Sequence, residues 1–409
     1  MIYLINFFTR ELHKTTNKVK LEILIYFANL LLNNNKKICS KKVKFLDLAT
    51  FLNKKVILPE ILTRTYLPNY TSTKLFNFVK VNSPEVQLLE FENFIISGAS
   101  TSFINDNSLY IERYCNEVNA NAVYDSGSVL SHNNKYALVR QSDLNYVDNG
   151  FFLAGNGSWN YYHWLIEILP KLQVYLELGL YKKGIKLLVP DTVKDNVNLK
   201  FLLDCILDGI KIDIIFVSRK FSLHVKHLYH LTPINNILFN ERKVGLSANI
   251  LHLRYDSLTF LTSKIEHFIS SNENEMFSSE KIFLARKEGG GRGYNQSEIL
   301  PFLMKHNFQI IYMEEHDIRQ QIFLFKNAKY IVGASGAAWT NLIFCNNSCK
   351  ALTWLPESIQ KFPAFSTLAN FANVELSFFN TSSNHYKNIH DNYIIDLNIF
   401  EMHLNKLLE

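Results

Sequence analysis

Hydrophobic and polar positions follow two rhythms along this chain, and the change of rhythm divides it. Between Val43 and Asp148, short apolar runs such as VKFLDLATFL, VQLLEFENFIISGA and KYALVRQSD are interrupted by Ser, Asn and Gly. That is the pattern of strands joined by turns. Within it, YDSGSVLSHNNKYAL predicts a hairpin with Asn133 and Asn134 at its tip. From Phe151 the pattern alternates between strand and helix: a strand to Ala154, a helix from Trp159 to Ile168, a buried strand Ile185–Pro190 and a helix capped by Asp191 that reaches Asp208. Pro170 should end or kink the first of these helices. Strands follow at Ile212–Val217 and Ser222–His230, the second alternating like an exposed edge. Asn236 to Phe277 reads as a connecting helix and linker. From Lys281 the strand–helix pattern repeats, with strands at Lys281–Ala285, Phe308–Met313 and Lys329–Val332 and a helix after each, then strands KALTWL and VELSFF. Asn295 with Glu298 and Asp317 with Gln320 have capping-box spacing. A last amphipathic helix, Asp396–Leu408, carries Leu397, Phe400, Leu404, Leu407 and Leu408 on one side.

At 409 residues the chain suits two domains, and its 47% apolar and 20% charged content describes an ordinary globular protein. Forty-three basic and 37 acidic residues leave a net charge of +6. So small an excess does not imply nucleic acid, but it suits an anionic ligand or a membrane surface. Ahead of the β-rich part, Leu21–Leu32 is an apolar helical stretch followed by the basic Lys36–Lys44. It could meet anionic lipid beside a lipid-linked substrate, or pack on its own domain or a partner chain with a solvated loop after it. The five cysteines (Cys39, Cys115, Cys205, Cys345, Cys349) are odd in number and scattered, which speaks against a disulfide framework or zinc site and for a reducing compartment. No run reaches the about 18 apolar residues of a membrane span, and Met1–Phe8 lacks a basic leader. His224, His227 and His230 fall on both faces of one strand, so they do not form a metal set.

Three stretches carry candidate chemistry. IVGASGAAWTN, Ile331–Asn341, runs from a strand through Gly333 and Gly336 into a helix start, where backbone N–H groups and the positive helix end can hold phosphate. Gly336 could supply a positive-φ turn, and Ala337 and Ala338 would allow close approach. FLARKEGGGRGYNQSE, Phe283–Glu298, sets Arg286 and Arg292 on either side of Gly289, Gly290 and Gly291. GNGSWNYYHWLIEILPKL, Gly155–Leu172, places His163 and Glu167 four apart, on one helical face. An imidazole beside a carboxylate is a plausible proton acceptor near neutral pH, or a hydrogen-bonded seam that orients Trp164.

Together these stretches resemble the family 61 glycosyltransferases, which pair an HW…E…LP helix with an arginine-flanked loop and a late GxxGAxxTN turn. The resemblance covers Asp125 to Glu409 and is strongest from Lys281 to Phe344. Where the family usually has His before the second glycine, this chain has Ser335. A hydroxyl can still donate to phosphate, but an imidazole role is lost.

The pattern and the resemblance imply an α/β, GT-B architecture: two Rossmann-like domains facing a cleft, with a β-rich N-terminal portion and a C-terminal helix packing back on the first domain. The acceptor domain would take residues 1–240 (1–45 helical, 46–150 β-rich, 151–235 α/β), the nucleotide-sugar domain 241–385, and the returning helix 386–409. The resemblance implies a nucleotide-sugar donor, UDP-linked, and a glycan or lipid-linked glycan acceptor in bacterial surface polysaccharide synthesis. It implies inversion at the anomeric carbon, and it assigns diphosphate binding to Arg286 and Arg292, with Ser335, Gly336, Ala337 and Asn341 lining the site. Glu314 would bind ribose or pair with Arg286, and Asn341 would cap backbone or contact phosphate. His163 and Glu167 would act on the acceptor hydroxyl, with Asp125 either near substrate or capping a turn. No DxD pair is present, so no metal and no other cofactor is expected. Eukaryotic relatives usually carry a membrane anchor. Its absence points to a bacterial cytoplasmic enzyme, with peripheral contact at the inner membrane and a homo-oligomer both left open. The competing readings are a catalytically inactive member of a polysaccharide assembly complex, and another GT-B-like transferase such as a pyruvyltransferase.

Overall fold

The computed structural model describes residues 38–70, 77–105, 107–112, 128–132, 135–142, 145–237, 251–270, 277–287, 292–381 and 392–409. The expected helix Leu21–Leu32, Asp125, the tip Asn133-Asn134, Cys115 and Gly289 to Gly291 lie outside them.

Two sheets organise the molecule. In the larger, four neighbouring strands run parallel in the order Ile214–Val217, Leu187–Pro190, Asn145–Phe152, Leu223–Leu231. Val86–Ile96 then joins antiparallel, with Leu223 opposite Ile96 and Leu231 opposite Leu88. The sheet continues through Ser102–Ile104, Ser108–Ile111, Ile38–Asp47, Tyr136–Ser142 and Val129–His132. The last two form the expected hairpin. The β-rich part and the first α/β part therefore share one sheet.

Three local expectations change here. Leu223–Leu231 is an interior strand rather than an edge: its polar positions are accommodated because His230 pairs with buried Glu112 at 2.8 Å, while Lys226 and His227 reach solvent. The end of the basic run, Ile38 onward, is strand paired antiparallel with Tyr136–Ser142 rather than loop. The helix expected from Asp191 to Asp208 is two helices, Asp191–Asp195 and Val197–Leu207. Asn196 caps the second through the N–H groups of Asn198 and Leu199, both at 3.1 Å, while Asp191 accepts the N–H of Arg219 at 3.2 Å.

The smaller sheet has five strands, all parallel, in the spatial order Gln309–Tyr312, Lys281–Ala285, Tyr330–Ala334, Lys350–Pro356, Glu375–Thr381. Read in chain order this is 2-1-3-4-5, a doubly wound arrangement whose direction of winding reverses between Lys281–Ala285 and Tyr330–Ala334. Alternate residues serve opposite faces. Phe283, Val332, Leu352 and Trp354 point to one cluster, and Ile282, Leu284, Ile331 and Ala351 to another.

The first of these clusters corrects the expected position of the last helix. Leu397–Leu408 buries Phe400, Leu404 and Leu407 against Trp354, Phe379 and Val332 of the smaller sheet, beside helix Gln296–Lys305. It does not return to the first α/β unit, because the smaller sheet has an apolar face that needs the cover. The same region changes Asn295, which does not cap its helix. Its side-chain oxygen accepts the N–H of Ile395 at 2.8 Å and its amide donates to Ile395 C=O at 3.0 Å, pinning the approach to the last helix. Asp317 does cap, accepting from Gln320 N–H at 2.9 Å.

The other cluster is continuous across both α/β units, joining Trp164, Leu202 and Ile206 to Ile322, Phe325 and Leu342. Asn198 also accepts the N–H of Ile318 at 3.0 Å. A separate hairpin, Ile61–Tyr66 with Phe78–Ser83, leaves the larger sheet and docks on helix Ala364–Phe371, where Tyr66 N–H donates to Thr367 Oγ1 at 3.0 Å. Among the described residues no helix is long and apolar enough to cross a membrane.

Candidate active site

After strand Asn145–Phe152 the chain makes a tight turn through Gly155–Asn160. Ser158 Oγ donates to Gly155 C=O at 2.6 Å, and Asn160 N–H donates to Gly157 C=O at 2.7 Å. Gly157 has φ +76°, and a Cβ there would meet the His163 ring at 2.6 Å. A larger residue would be strained and would displace the imidazole.

Residues His163–Ile168 then form a π-helical turn, marked by the bond from Leu169 N–H to Trp164 C=O at 2.9 Å. Pro170 has no N–H to offer Ile166 C=O, four residues back. Asn235 supplies the missing donor at 2.8 Å. Beyond Pro170 the chain continues as the α-helix Lys171–Glu177, so the expected break occurs there.

On this turn His163 Nδ1 lies 2.7 Å from Glu167 Oε2. An ionised carboxylate only accepts, so Nδ1 carries the proton and Nε2 is the basic nitrogen. Burial lowers the affinity of His163 for a second proton, but the charge and hydrogen bond of Glu167 outweigh it and raise its pKa above the usual imidazole value. Glu167 is itself buried and accepts Ile237 N–H at 2.7 Å through its other oxygen. Behind the pair lies Lys171, fully buried, donating to Ala154 C=O at 3.3 Å. Burial depresses its pKa, with Glu112 and Glu167 acting in opposition.

The second half of the site lies at the winding reversal of the smaller sheet. Arg286 leaves the end of strand Lys281–Ala285 and reaches across to the end of the neighbouring strand. Its guanidinium donates to Ser335 C=O and to Arg292 C=O, the latter at 3.0 Å. Gln296 grips its backbone on both sides, accepting Arg286 N–H at 2.8 Å and donating to Arg286 C=O at 3.0 Å. Arg292 has φ +53°, a left-handed backbone uncommon for a residue with a side chain, and this turns its carbonyl toward Arg286.

Gly336 does not make the expected positive-φ turn. Its backbone is extended, and its role is spatial: a Cβ would sit 3.3 Å from the Arg286 guanidinium. Ala337–Phe344 coils as a tight 3₁₀ helix, not an α-helix.

Other expected residues fall differently. Asn341 is fully buried and contacts neither a cap nor open space. It accepts from Tyr161 Oη at 2.5 Å and lies 3.4 Å from Gln321, because the 3₁₀ winding turns it inward. Glu314 is exposed on the turn after Gln309–Tyr312 and does not pair with Arg286, whose guanidinium is held by carbonyls. The adjacent ion pair is Lys287–Glu315, at 2.9 Å. Tyr161, Gln296 and Lys171 were not singled out from sequence. Only the position of Tyr161 beside the HW motif, and of Gln296 beside the arginine loop, hinted at them. Among the described residues no three His, Cys, Asp or Glu side chains gather to hold a metal ion.

The hydrogen bond from Tyr161 to Asn341 thus ties the histidine-bearing turn to the glycine turn across 180 residues of chain. No curated protein matches the chain. Residues 161–352 match the family model described as Glycosyltransferase 61, a span running from Tyr161 through the π-turn, the arginine loop and the glycine turn into the fourth strand of the smaller sheet. On this similarity, which spans just under half of the chain, the protein is a glycosyltransferase.

Proposed function

We propose that this glycosyltransferase takes a nucleotide sugar, UDP-linked, and transfers its sugar to a glycan acceptor in bacterial surface polysaccharide synthesis. In this reading the two α/β units face one another in the GT-B manner, the smaller sheet holding the donor and the larger the acceptor. The observation that carries it is the Tyr161–Asn341 bond, which joins the segment bearing the imidazole–carboxylate pair to the helix that follows the arginine-held strand end.

Arg286, Arg292 and the backbone around Ser335, Gly336 and Ala337 would take the charge of the diphosphate. Glu314 would bind the ribose. The acceptor oxygen attacks the anomeric carbon while the bond from that carbon to the diphosphate oxygen breaks. UDP leaves with the bonding pair, the acceptor proton passes to His163, and configuration inverts. Glu167 holds the imidazole in the required tautomer and stabilises the imidazolium that forms. The lack of a DxD pair and the presence of the arginines motivate a metal-independent reaction.

The test is UDP titration and turnover of Arg286→Ala, Arg292→Ala and Arg292→Lys, with circular dichroism to confirm folding. Each alanine variant should lose about 2–4 kcal/mol of transition-state stabilisation. Arg292→Lys should recover little of it, since an ammonium cannot form a bidentate fork. Wild-type turnover should survive excess EDTA. Unchanged UDP affinity and turnover in both alanine variants would remove the arginines from the donor site. Loss of activity on chelation, restored by Mn²⁺, would overturn the metal-free reading.

A further inference from the structure

Three of the four tryptophans are fully buried, and each indole N–H has a partner. Trp164 donates to Leu199 C=O at 3.1 Å, Trp339 to Ala334 C=O at 2.9 Å and Trp354 to Tyr393 Oη at 2.7 Å. Trp159 is different: it is 45% exposed. A single exposed apolar side chain needs no explanation. The company and position of this one supply an argument.

Trp159 lies on the turn that leaves the carboxyl end of strand Asn145–Phe152. Asp191 follows directly on the neighbouring strand Leu187–Pro190, and Arg219 lies two residues beyond Ile214–Val217. Three adjacent parallel strands therefore deliver one side chain each to the same end of the sheet, the end at which open α/β sheets bind ligands. The three are joined. The Arg219 guanidinium lies 4.3 Å over the Trp159 ring, and Asp191 Oδ2 accepts Arg219 N–H at 3.2 Å. Phe221, two residues beyond Arg219 in the chain, is 47% exposed. Two residues before Trp159, Gly157 lies against the His163 ring, so the turn that presents the indole also seats the imidazole.

We propose that Trp159, Arg219 and Asp191 form the acceptor-sugar subsite. The indole packs against the apolar C–H face of a pyranose ring, while Arg219 donates to, and Asp191 accepts from, its hydroxyls. The assignment rests on the reading of His163 as the proton acceptor. The chemistry suits a sugar in particular. One face of a pyranose is apolar, and its hydroxyls both donate and accept, which calls for an aromatic surface flanked by a pure donor and a pure acceptor. Stacking on Trp159 holds the Arg219 fork in one plane, so less freedom is lost on binding. A site for anionic lipid would have no use for the Asp191 carboxylate.

Because Trp159 is the exposed indole among four, its ¹⁵N–H resonance reports on the patch, and Trp159→Phe identifies the signal. The probes are methyl β-glycosides of glucose, galactose, xylose, N-acetylglucosamine and glucuronic acid, added to the full chain with UDP present. At least one should move the Trp159 resonance saturably while the three buried indoles stay in place. Arg219→Ala should weaken that glycoside by about tenfold or more, the scale of one lost hydrogen bond to a charged group. If UDP binds and no glycoside of the panel moves the resonance, the subsite is wrong and the donor reading stands. If a glycoside binds at Trp159 and UDP binds nowhere, the donor reading fails and the sugar subsite stands. A shift produced only by phosphatidylglycerol vesicles would make the patch a lipid contact and overturn the proposal.

Discussion

His163 owes its chemical character to opposing influences on a single ring: burial disfavours its charged form, and Glu167 at 2.7 Å restores and exceeds what burial removes. In the proposed reaction a base at His163 must be neutral, so the acid limb of kcat/KM should lie above the ordinary imidazole value of about 6.5. Glu167→Gln removes the raising influence and leaves burial in place. The limb should then move to lower pH, while kcat falls by about 10²–10⁴-fold. The stability linkage has the same origin. A raised histidine contributes stability that is fully present below the unfolded value and is lost as pH rises through the folded one. Urea denaturation should therefore show Glu167→Gln losing more stability at about pH 6 than at about pH 9. An unmoved acid limb with wild-type kcat would place the base elsewhere. The sequence showed that His163 and Glu167 share a face, but not Gly157 beneath the ring or Asn235 beneath the carbonyl freed by Pro170, since both come from outside the motif.

At the scale of elements, the strands of the smaller sheet were legible from their apolar runs, because a strand buried on both faces carries little else. The last helix was legible as a helix but not in its destination. Phe400 is fully buried and lies edge-on to Trp354 at 6.2 Å and Phe379 at 6.4 Å. Phe400→Ala should cost about 3–5 kcal/mol in chemical unfolding, the usual range for losing a buried phenyl. The segment before this helix also holds the arginine loop, since Gly293 N–H donates to Asn392 Oδ1 at 2.7 Å and Tyr393 N–H to Gly293 C=O at 3.0 Å. UDP affinity should accordingly fall in the same variant. Titration of a folded Phe400→Ala protein with full UDP affinity would show that the helix only covers the sheet.

For the whole molecule, buried histidines of the opposite kind should weaken the fold in acid. Burial, with Lys171 assisting, lowers His230 despite its bond to Glu112. Burial and Arg254 lower His252 to about 4. A depressed histidine leaves the unfolded chain binding the proton first, so stability is present above about 6.5 and is lost as pH falls through the folded values. A shift as large as that of His252 corresponds to about 3 kcal/mol between pH 6.5 and 4. His252→Leu should flatten the decline of unfolding free energy over that window, read from urea curves at several pH values. An unchanged slope would move the acid sensitivity to other groups.

The sequence by itself determined the strand–helix alternation, the two α/β units and the three motifs, because these depend on local periodicity and on residue types close together in the chain. Tertiary structure alone decided that the β-rich part and the first α/β unit share one sheet, since strand partners are chosen by register and exposed edges far apart in sequence. It decided that Asn341 turns inward to Tyr161 and that Arg286 is held by carbonyls of Ser335 and Arg292. A polar side chain on a turn is compatible with solvent, ligand or a buried partner. Only the position of the opposing chain determines which one it meets.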